Sequence, residues 1–126
     1  MKAALLDSNV LIYAANGNAE SLREFVCSAG NAVASITGIE VYGFSGLKQE
    51  EKASLDTLFA FLDVYSLDER VIAKAIELRQ IRKMGLADAI IAATALVHSM
   101  PLITRNIEDF KGIDGLEVIN PFAEII

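Results

Sequence analysis

Cysteine and histidine each occur once in this chain, at Cys27 and His98. A lone cysteine excludes a disulfide framework and a cysteine-type zinc site. A lone histidine excludes any mechanism that needs two. Basic residues are also scarce: 11 Lys and Arg stand against 17 Asp and Glu, a formal net charge of −6. That balance argues against an ordinary nucleic-acid binder, which is usually basic. It is compatible with acids gathered around divalent cations, and it suits a basic protein partner. No uninterrupted apolar run is long enough to cross a bilayer. The opening Met1 to Asp7 reaches its first acid too early for a signal peptide, so a cytoplasmic location is the expectation. Linkers, internal repeats and low-complexity segments are absent too. The 126 residues, 1–126, therefore read as one domain around one core.

What the chain has is apolar residues, 53% of the total. They fall into short runs that alternate with amphipathic stripes. Lys2 to Leu6, Ala32 to Ser35, Val64 to Leu67, Pro101 to Thr104 and Leu116 to Ile119 read as strands. Helices are expected over Val10 to Ala15, around Leu22, Phe25, Val26 and Ala29 with Gly30 as the stop, and over Ile36 to Leu47. Others are expected along Leu55, Leu58, Phe59 and Leu62, from Asp68 to Met84, from Leu86 to Val97, and as one turn from Asn106 to Phe110. Asn16-Gly17-Asn18 reads as a turn. Strand and helix alternating end to end predict a three-layer α/β/α sandwich with a central, mostly parallel sheet. The helix after Gly85 has only Asp88 and Thr94 as polar residues up to Val97. A helix without a polar face belongs in the interior.

In open parallel sheets the functional site lies beyond the carboxyl ends of the strands. Four acids have such addresses. Asp7 follows the first strand, Glu40 lies a helical turn beyond the second, Asp88 opens the apolar helix, and Asp109 lies a turn beyond the Leu102-Ile103-Thr104 strand. Four carboxylates at one edge repel one another unless protonated or bridged by cations. A hard divalent ion, Mg2+ or Mn2+, prefers such oxygen donors and can promote in-line phosphoryl displacement. Each acid has a plainer reading. Asp7 and Asp88 could cap helices, Glu40 stands at capping-box spacing from Thr37, and Asp109 could be an ordinary surface residue. Three of the four, however, sit in strongly apolar surroundings, where an unpaired acid is costly.

The segments Asp7 to Ala14, Ser35 to Glu40, Leu86 to Ala93 and Leu102 to Phe110 together resemble the ordered motifs of PIN-domain ribonucleases, most closely the VapC-type toxins of toxin–antitoxin pairs. The resemblance runs from Lys2 to about Phe122. It implies a PIN-like sandwich and a Mg2+- or Mn2+-dependent endoribonuclease cutting structured RNA. It also implies a homodimer and a cognate antitoxin. Asp7, Glu40, Asp88 and Asp109 match the acidic quartet, as catalytic residues and metal ligands. Ser8, Asn9, Thr104 and Asn106 match polar positions beside it, and Ser8 stands where threonine is frequent. Arg105, at the site edge, is a candidate phosphate contact. Arg79, Arg82 and Lys83 are further candidates, although basic residues in a helix's last turns also suit its dipole. His98 is expected to play that dipole role at a helix end, and Cys27, Phe59, Phe61 and Tyr65 to pack. Tyr42, Phe44 and Leu47 could cover a dimer seam.

Rival phosphoryl-transfer patterns fail. A haloacid-dehalogenase-type phosphatase needs a second aspartate where Asn9 stands, and a phospho-receiver domain needs a lysine where Asn120-Pro121 follow the last strand. The rival of a different class is a non-catalytic acidic module that binds a basic protein. It predicts indifference to metal and salt-dependent affinity.

Overall fold

A computed structural model of the chain describes residues 3–17 and 20–121. Lys2, Asn18 and Phe122, which bound the expected first strand, first turn and family resemblance, lie outside the described residues. In chain order the elements are β1 (Leu5–Leu6), α1 (Ser8–Ala15), α2 (Glu20–Val26), β2 (Ala32–Ala34), α3 (Ser35–Tyr42) and α4 (Gln49–Phe59). They continue with β3 (Asp63–Tyr65), α5 (Glu69–Ile81), α6 (Leu86–Val97), β4 (Leu102–Ile103), α7 (Ile107–Phe110) and β5 (Val118–Ile119). The strands form one sheet in the order β3-β2-β1-β4-β5, and every pairing is parallel. The expected α/β/α layering is therefore present.

Alternation along each strand sorts side chains between the two faces. Leu6, Val33 and Ile103 pack with Val10, Leu11, Leu22, Val26, Leu55 and Leu58 of α1, α2 and α4. Leu5, Ala32, Ala34 and Leu102 pack with Val71, Ala75, Leu78, Ile91 and Phe110 of α5, α6 and α7. Helix α6 is buried continuously from Ala89 to Ala95. Its one polar residue in that run, Thr94, donates its hydroxyl to the Ile90 carbonyl at 2.7 Å. That bond lets a hydroxyl sit inside at little cost. Between α2 and β2, buried Asn31 accepts from the Ala4 amide at 2.9 Å and donates to the Phe25 carbonyl at 2.7 Å. No helix among the described residues is long and apolar enough to cross a membrane.

The strand order fixes where a site can form. From β1 the chain moves outward to β2 and β3, then returns to the other side of β1 for β4 and β5. The carboxyl ends of β1 and β4 therefore lie side by side at a topological switch point, where flanking connections diverge and leave a crevice. The Asp7 amide donates to the Ile103 carbonyl at 3.0 Å, which ties the two ends together.

Several element ends differ from the sequence expectation. Helix α3 stops at Tyr42 rather than Leu47, and the Gly43 amide closes it on the Ile39 carbonyl at 2.8 Å. Helix α5 stops at Ile81 rather than Met84, because Arg82 turns to an extended conformation. Helix α2 ends at Val26. Ala29 is exposed, and Gly30 turns into β2 with a φ of +90°, a conformation glycine adopts freely. Strand β3 ends two residues earlier than expected and forms the sheet edge, where Val64 is exposed, and Phe61 is exposed in the turn after α4. Phe61 is therefore not core, whereas Phe59 packs on Tyr42 with ring centroids 5.3 Å apart. Cys27 is partly buried against the α1–α2–α4 layer. His98 does end α6, but its ring stacks on Tyr65 at 3.8 Å between centroids and 10° between planes. Its role is packing as well as position.

Candidate active site

Asp7 is the first residue past β1 and the N-cap of α1. Its carboxylate is 4% exposed yet accepts three hydrogen bonds: from the Ser8 amide at 2.9 Å, from Asn9 Nδ2 at 3.2 Å and from Thr104 Oγ1 at 2.8 Å. The capping role and the site role thus coexist. Burial pushes the Asp7 carboxyl above its ordinary value, the bonds from Thr104, Ser8 and Asn9 pull it back, and the charge of Asp109 pushes it up again.

Thr104 is the hub. Its hydroxyl donates to Asp7 and accepts from Asn9 Nδ2 at 3.3 Å and from the Asn106 amide at 3.0 Å. All the hydrogen-bonding capacity of the hydroxyl is thereby used. Asn9 turns its amide toward Asp7 and Thr104 and its oxygen toward the Arg105 amide, at 3.2 Å. These three side chains lock the end of β4 to the start of α1.

The other acids converge electrostatically on this hub. Helix α3 begins at Ser35, directly after β2, so Glu40 lies beyond the first turn and no capping box forms with Thr37. Glu40 is exposed, and the Ser8 side chain pulls its carboxyl down. Its carboxyl is pushed up by partial burial first, then by the charges of Asp7 and Asp88. Asp88 lies in the first turn of α6 but does not cap it. Its carboxyl is also pushed up, by partial burial first and then by Asp7 and Asp109. Asp109, on α7, is exposed and contributes its charge to both Asp7 and Asp88. None of the four has an ion-pair partner among the described residues.

The edge past β1 and β4 therefore carries a cluster of carboxylates with no cationic partner among the described residues, in which hydroxyl and amide groups hold Asp7. Its donor set is entirely oxygen, which matches a hard divalent cation. The acids do not close into a cage, however: no three His, Cys, Asp or Glu side chains among the described residues gather tightly enough to hold an ion alone. Such an open set fits an ion that keeps several of its own waters, as Mg2+ does.

The basic candidates divide. Arg79 donates to the Met84 carbonyl at 3.2 Å, which fastens the α5–α6 turn. Arg82 donates to the Lys111 carbonyl at 2.8 Å and to the Asp109 carbonyl at 3.4 Å, so it grips the end of α7 that carries the fourth acid. Lys83 is exposed. Arg105 lies at the cleft rim with its guanidinium 4.9 Å from the centre of the Tyr13 ring. Sequence reasoning missed Tyr13 and the grip of Arg82. Tyr13 stands four residues after Asn9 on α1 and so shares its face, a spacing visible in the sequence.

The geometry now has independent company. The PIN-domain profile matches residues 4–116. This chain belongs to the PIN-domain family. Among curated members, it is 30% identical to Ribonuclease VapC2 of Rickettsia felis, over 92% of this chain and 96% of that protein. It is 32% identical to Ribonuclease VapC1 of Methanocaldococcus jannaschii, over 90% of this chain and 85% of that protein. Among solved structures, a toxin–antitoxin complex from Klebsiella pneumoniae contains a chain that is 33% identical with a TM-score of 0.79. VapBC2 from Rickettsia felis bound to a fragment of its promoter DNA contains one that is 26% identical with a TM-score of 0.78. Both alignments cover 94% of this chain and 98% of the other. The matched span takes in Asp7, Glu40, Asp88, Thr104 and Asp109.

Proposed function

We propose that this PIN domain is a cytoplasmic, divalent-metal-dependent endoribonuclease, the toxin of a toxin–antitoxin pair that blocks translation by cutting a structured RNA. The observation that carries the reading is the cluster itself. Burial first, and then the charges of neighbouring acids, raise the carboxyl groups of Asp7, Glu40 and Asp88, and none of them pairs with a cationic side chain among the described residues. A protein gains nothing in stability from such a cluster, so its use lies in what it binds. Curated relatives named as ribonucleases support the substrate class. Structural neighbours solved as toxin–antitoxin complexes support the partner.

Asp7 and Asp88 would hold Mg2+ or Mn2+, with Glu40 and Asp109 completing the shell directly or through water. Bound there, the ion supplies charge neutralisation at the scissile phosphate and an activated water. Asn9 and Thr104 keep the Asp7 carboxylate in one orientation through the bonds given above, and Asn106 is held beside them by its amide. Ser8 steadies Glu40. The proposed reaction is hydrolysis with no covalent enzyme intermediate.

Two apolar surfaces suit the proposed partners. A cavity of about 260 Å³ is lined by Ile12, Ala15, Val41, Phe44, Leu47 and Leu55, with Phe44 exposed at its mouth. Its concave shape fits an apolar segment of an antitoxin better than a flat dimer seam. Leu67, just before α5, with Ile72 and Ile76 of α5 and Leu86 of α6, forms a separate exposed apolar surface, and this is the proposed contact with a second copy.

The test is cleavage of total RNA by the purified, antitoxin-free protein with Mg2+, with Mn2+ and with EDTA, beside Asp7→Asn. Discrete fragments that need metal and vanish in a folded Asp7→Asn variant are expected. A folded protein that never cuts in a metal-dependent way would instead favour the acidic binding module.

A further inference from the structure

Asp7 and Asp109 are held in opposite ways. The Asp7 carboxylate is buried and takes three hydrogen bonds. The Asp109 side chain is exposed, and its carboxylate takes no hydrogen bond among the described residues. Its place is therefore set by the main chain of α7. That helix is a single turn, Ile107–Phe110, with one buried side chain, Phe110. A helix so short leaves its end groups unsatisfied and is not stable by itself. One buried ring still lets it rock, so the anchors at its two ends decide where Asp109 sits. The front end is tied by the Asn106 amide, which donates to Thr104 Oγ1 at 3.0 Å. The far end is tied by Arg82: Nη1 donates to the Lys111 carbonyl at 2.8 Å, and Nη2 reaches the Asp109 carbonyl at 3.4 Å.

We propose that Arg82 is a positioning residue for the metal site, holding Asp109 toward the other carboxylates through the main chain at the end of α7. The assignment rests on the metal-dependent reading above and adds to it a residue from outside the acid cluster. Two local conformations are shaped to this contact. Arg82 leaves the helical conformation at the end of α5, with φ −145° and ψ 157°, which lets its side chain cross to α7. Lys111 has φ −65° and ψ 149°, and Gly112 has φ +82°, the pattern at the centre of a type II turn. The second central position of such a turn needs a positive φ, which glycine adopts freely. The carbonyl between the two central residues takes no part in the turn's own hydrogen bond. It is left to an outside donor, and Arg82 is that donor. A guanidinium suits the place because its planar fork reaches two carbonyls at once. The charge of Asp109 is felt at both Asp7 and Asp88, so a shift of α7 alters the whole cluster.

The sign of the effect separates position from charge. Removing a cation beside carboxylates makes the site more negative, so charge alone would tighten the binding of a divalent ion. Loss of position weakens it. Mn2+ titrated into the full chain without RNA, with the free ion followed by electron paramagnetic resonance, reads the affinity. For Arg82→Ala we expect binding about tenfold weaker, the low end for groups that orient a metal's ligands. Arg82→Lys keeps the charge but not the fork, and should fall between the parent and Arg82→Ala. Lys83→Ala removes the exposed charge next door and should bind Mn2+ as the parent does or slightly more tightly. In an Asp109→Asn background Arg82→Ala should cause little further loss, because the two changes act through one group. Thermal unfolding in EDTA records any general loss of stability, and titrations run well below each Tm compare folded protein only. If Arg82→Ala does not fold, Arg82→Lys carries the comparison. An Arg82 variant that binds Mn2+ as tightly as the parent, or a loss that persists undiminished in Asp109→Asn, overturns the proposal and leaves the metal site standing. A parent that binds no Mn2+ and cuts no RNA with metal overturns the ribonuclease reading, and the role of Arg82 falls with it.

Discussion

Replacing Thr104 with valine tests the hub on which the site is built. The two side chains have nearly the same shape, so the substitution removes a hydroxyl and little else. Thr104 is fully buried, and its hydroxyl makes three bonds: to Asp7 at 2.8 Å, from the Asn106 amide at 3.0 Å and from Asn9 at 3.3 Å. Each is worth about 1 kcal/mol net, and the one to a carboxylate more. With some relaxation the loss is about 3 kcal/mol. A chain of this size shifts its Tm by about 3–5 °C per kcal/mol, so Tm should fall by about 10 °C. Thr104→Ser keeps the hydroxyl and loses one methyl, which costs about 1 kcal/mol. The order of stability should therefore be parent, then serine, then valine. The pH dependence has a definite sign. Burial raises the Asp7 carboxyl and Thr104 lowers it, so valine raises it further. Between the two folded-state values the variant binds more protons when folded than the parent does, and its deficit grows as pH rises through that window. Thermal unfolding followed by circular dichroism from mildly acidic to neutral pH measures both effects. A valine variant as stable as the serine one at neutral pH, or a deficit that shrinks with rising pH, would show that Thr104 is not organising Asp7.

Two further outcomes follow from the uncompensated charge. Asp88→Asn should stabilise the metal-free protein at pH 7 by about 0.2–1 kcal/mol, the range of partly solvated charge interactions, because it removes a carboxylate that burial and its neighbours Asp7 and Asp109 disfavour. A Tm below the parent's in EDTA would contradict that. Mg2+ or Mn2+ should stabilise the parent by about 2.7 kcal/mol at a hundredfold excess over Kd, read as a higher Tm. The gain should disappear in Asp7→Asn, and equal shifts in both proteins would place the ion elsewhere.

These outcomes share one physical cause, which also decides what could be read from the sequence. Raised carboxyl groups in the native state contribute stability that is complete below their unfolded values and lost as pH rises through the folded ones. Asp7, Glu40 and Asp88 all have this sign. At neutral pH the site therefore costs the fold stability. A cost of that kind shows in a sequence as a contradiction: acids set against Leu5-Leu6, Ile39 and Val41, or Ala87 and Ala89. Asp7, Glu40 and Asp88 could be named for that reason, Asp109 by its address beyond the Leu102-Ile103-Thr104 run, and the strands because each is a short apolar run. What stayed hidden depends on partners distant in the chain. Arg82 leaves α5 to hold the Lys111 and Asp109 carbonyls, so the helix ends before its sequence pattern does. Val64 is apolar but exposed because β3 falls at the sheet edge, which only the strand order decides. Tyr13 looks like one more apolar residue of α1 until Arg105 is laid across it. The acids announce themselves by breaking a local rule. The residues that aim or anchor them break none, so they become visible only when elements distant in the chain are placed side by side.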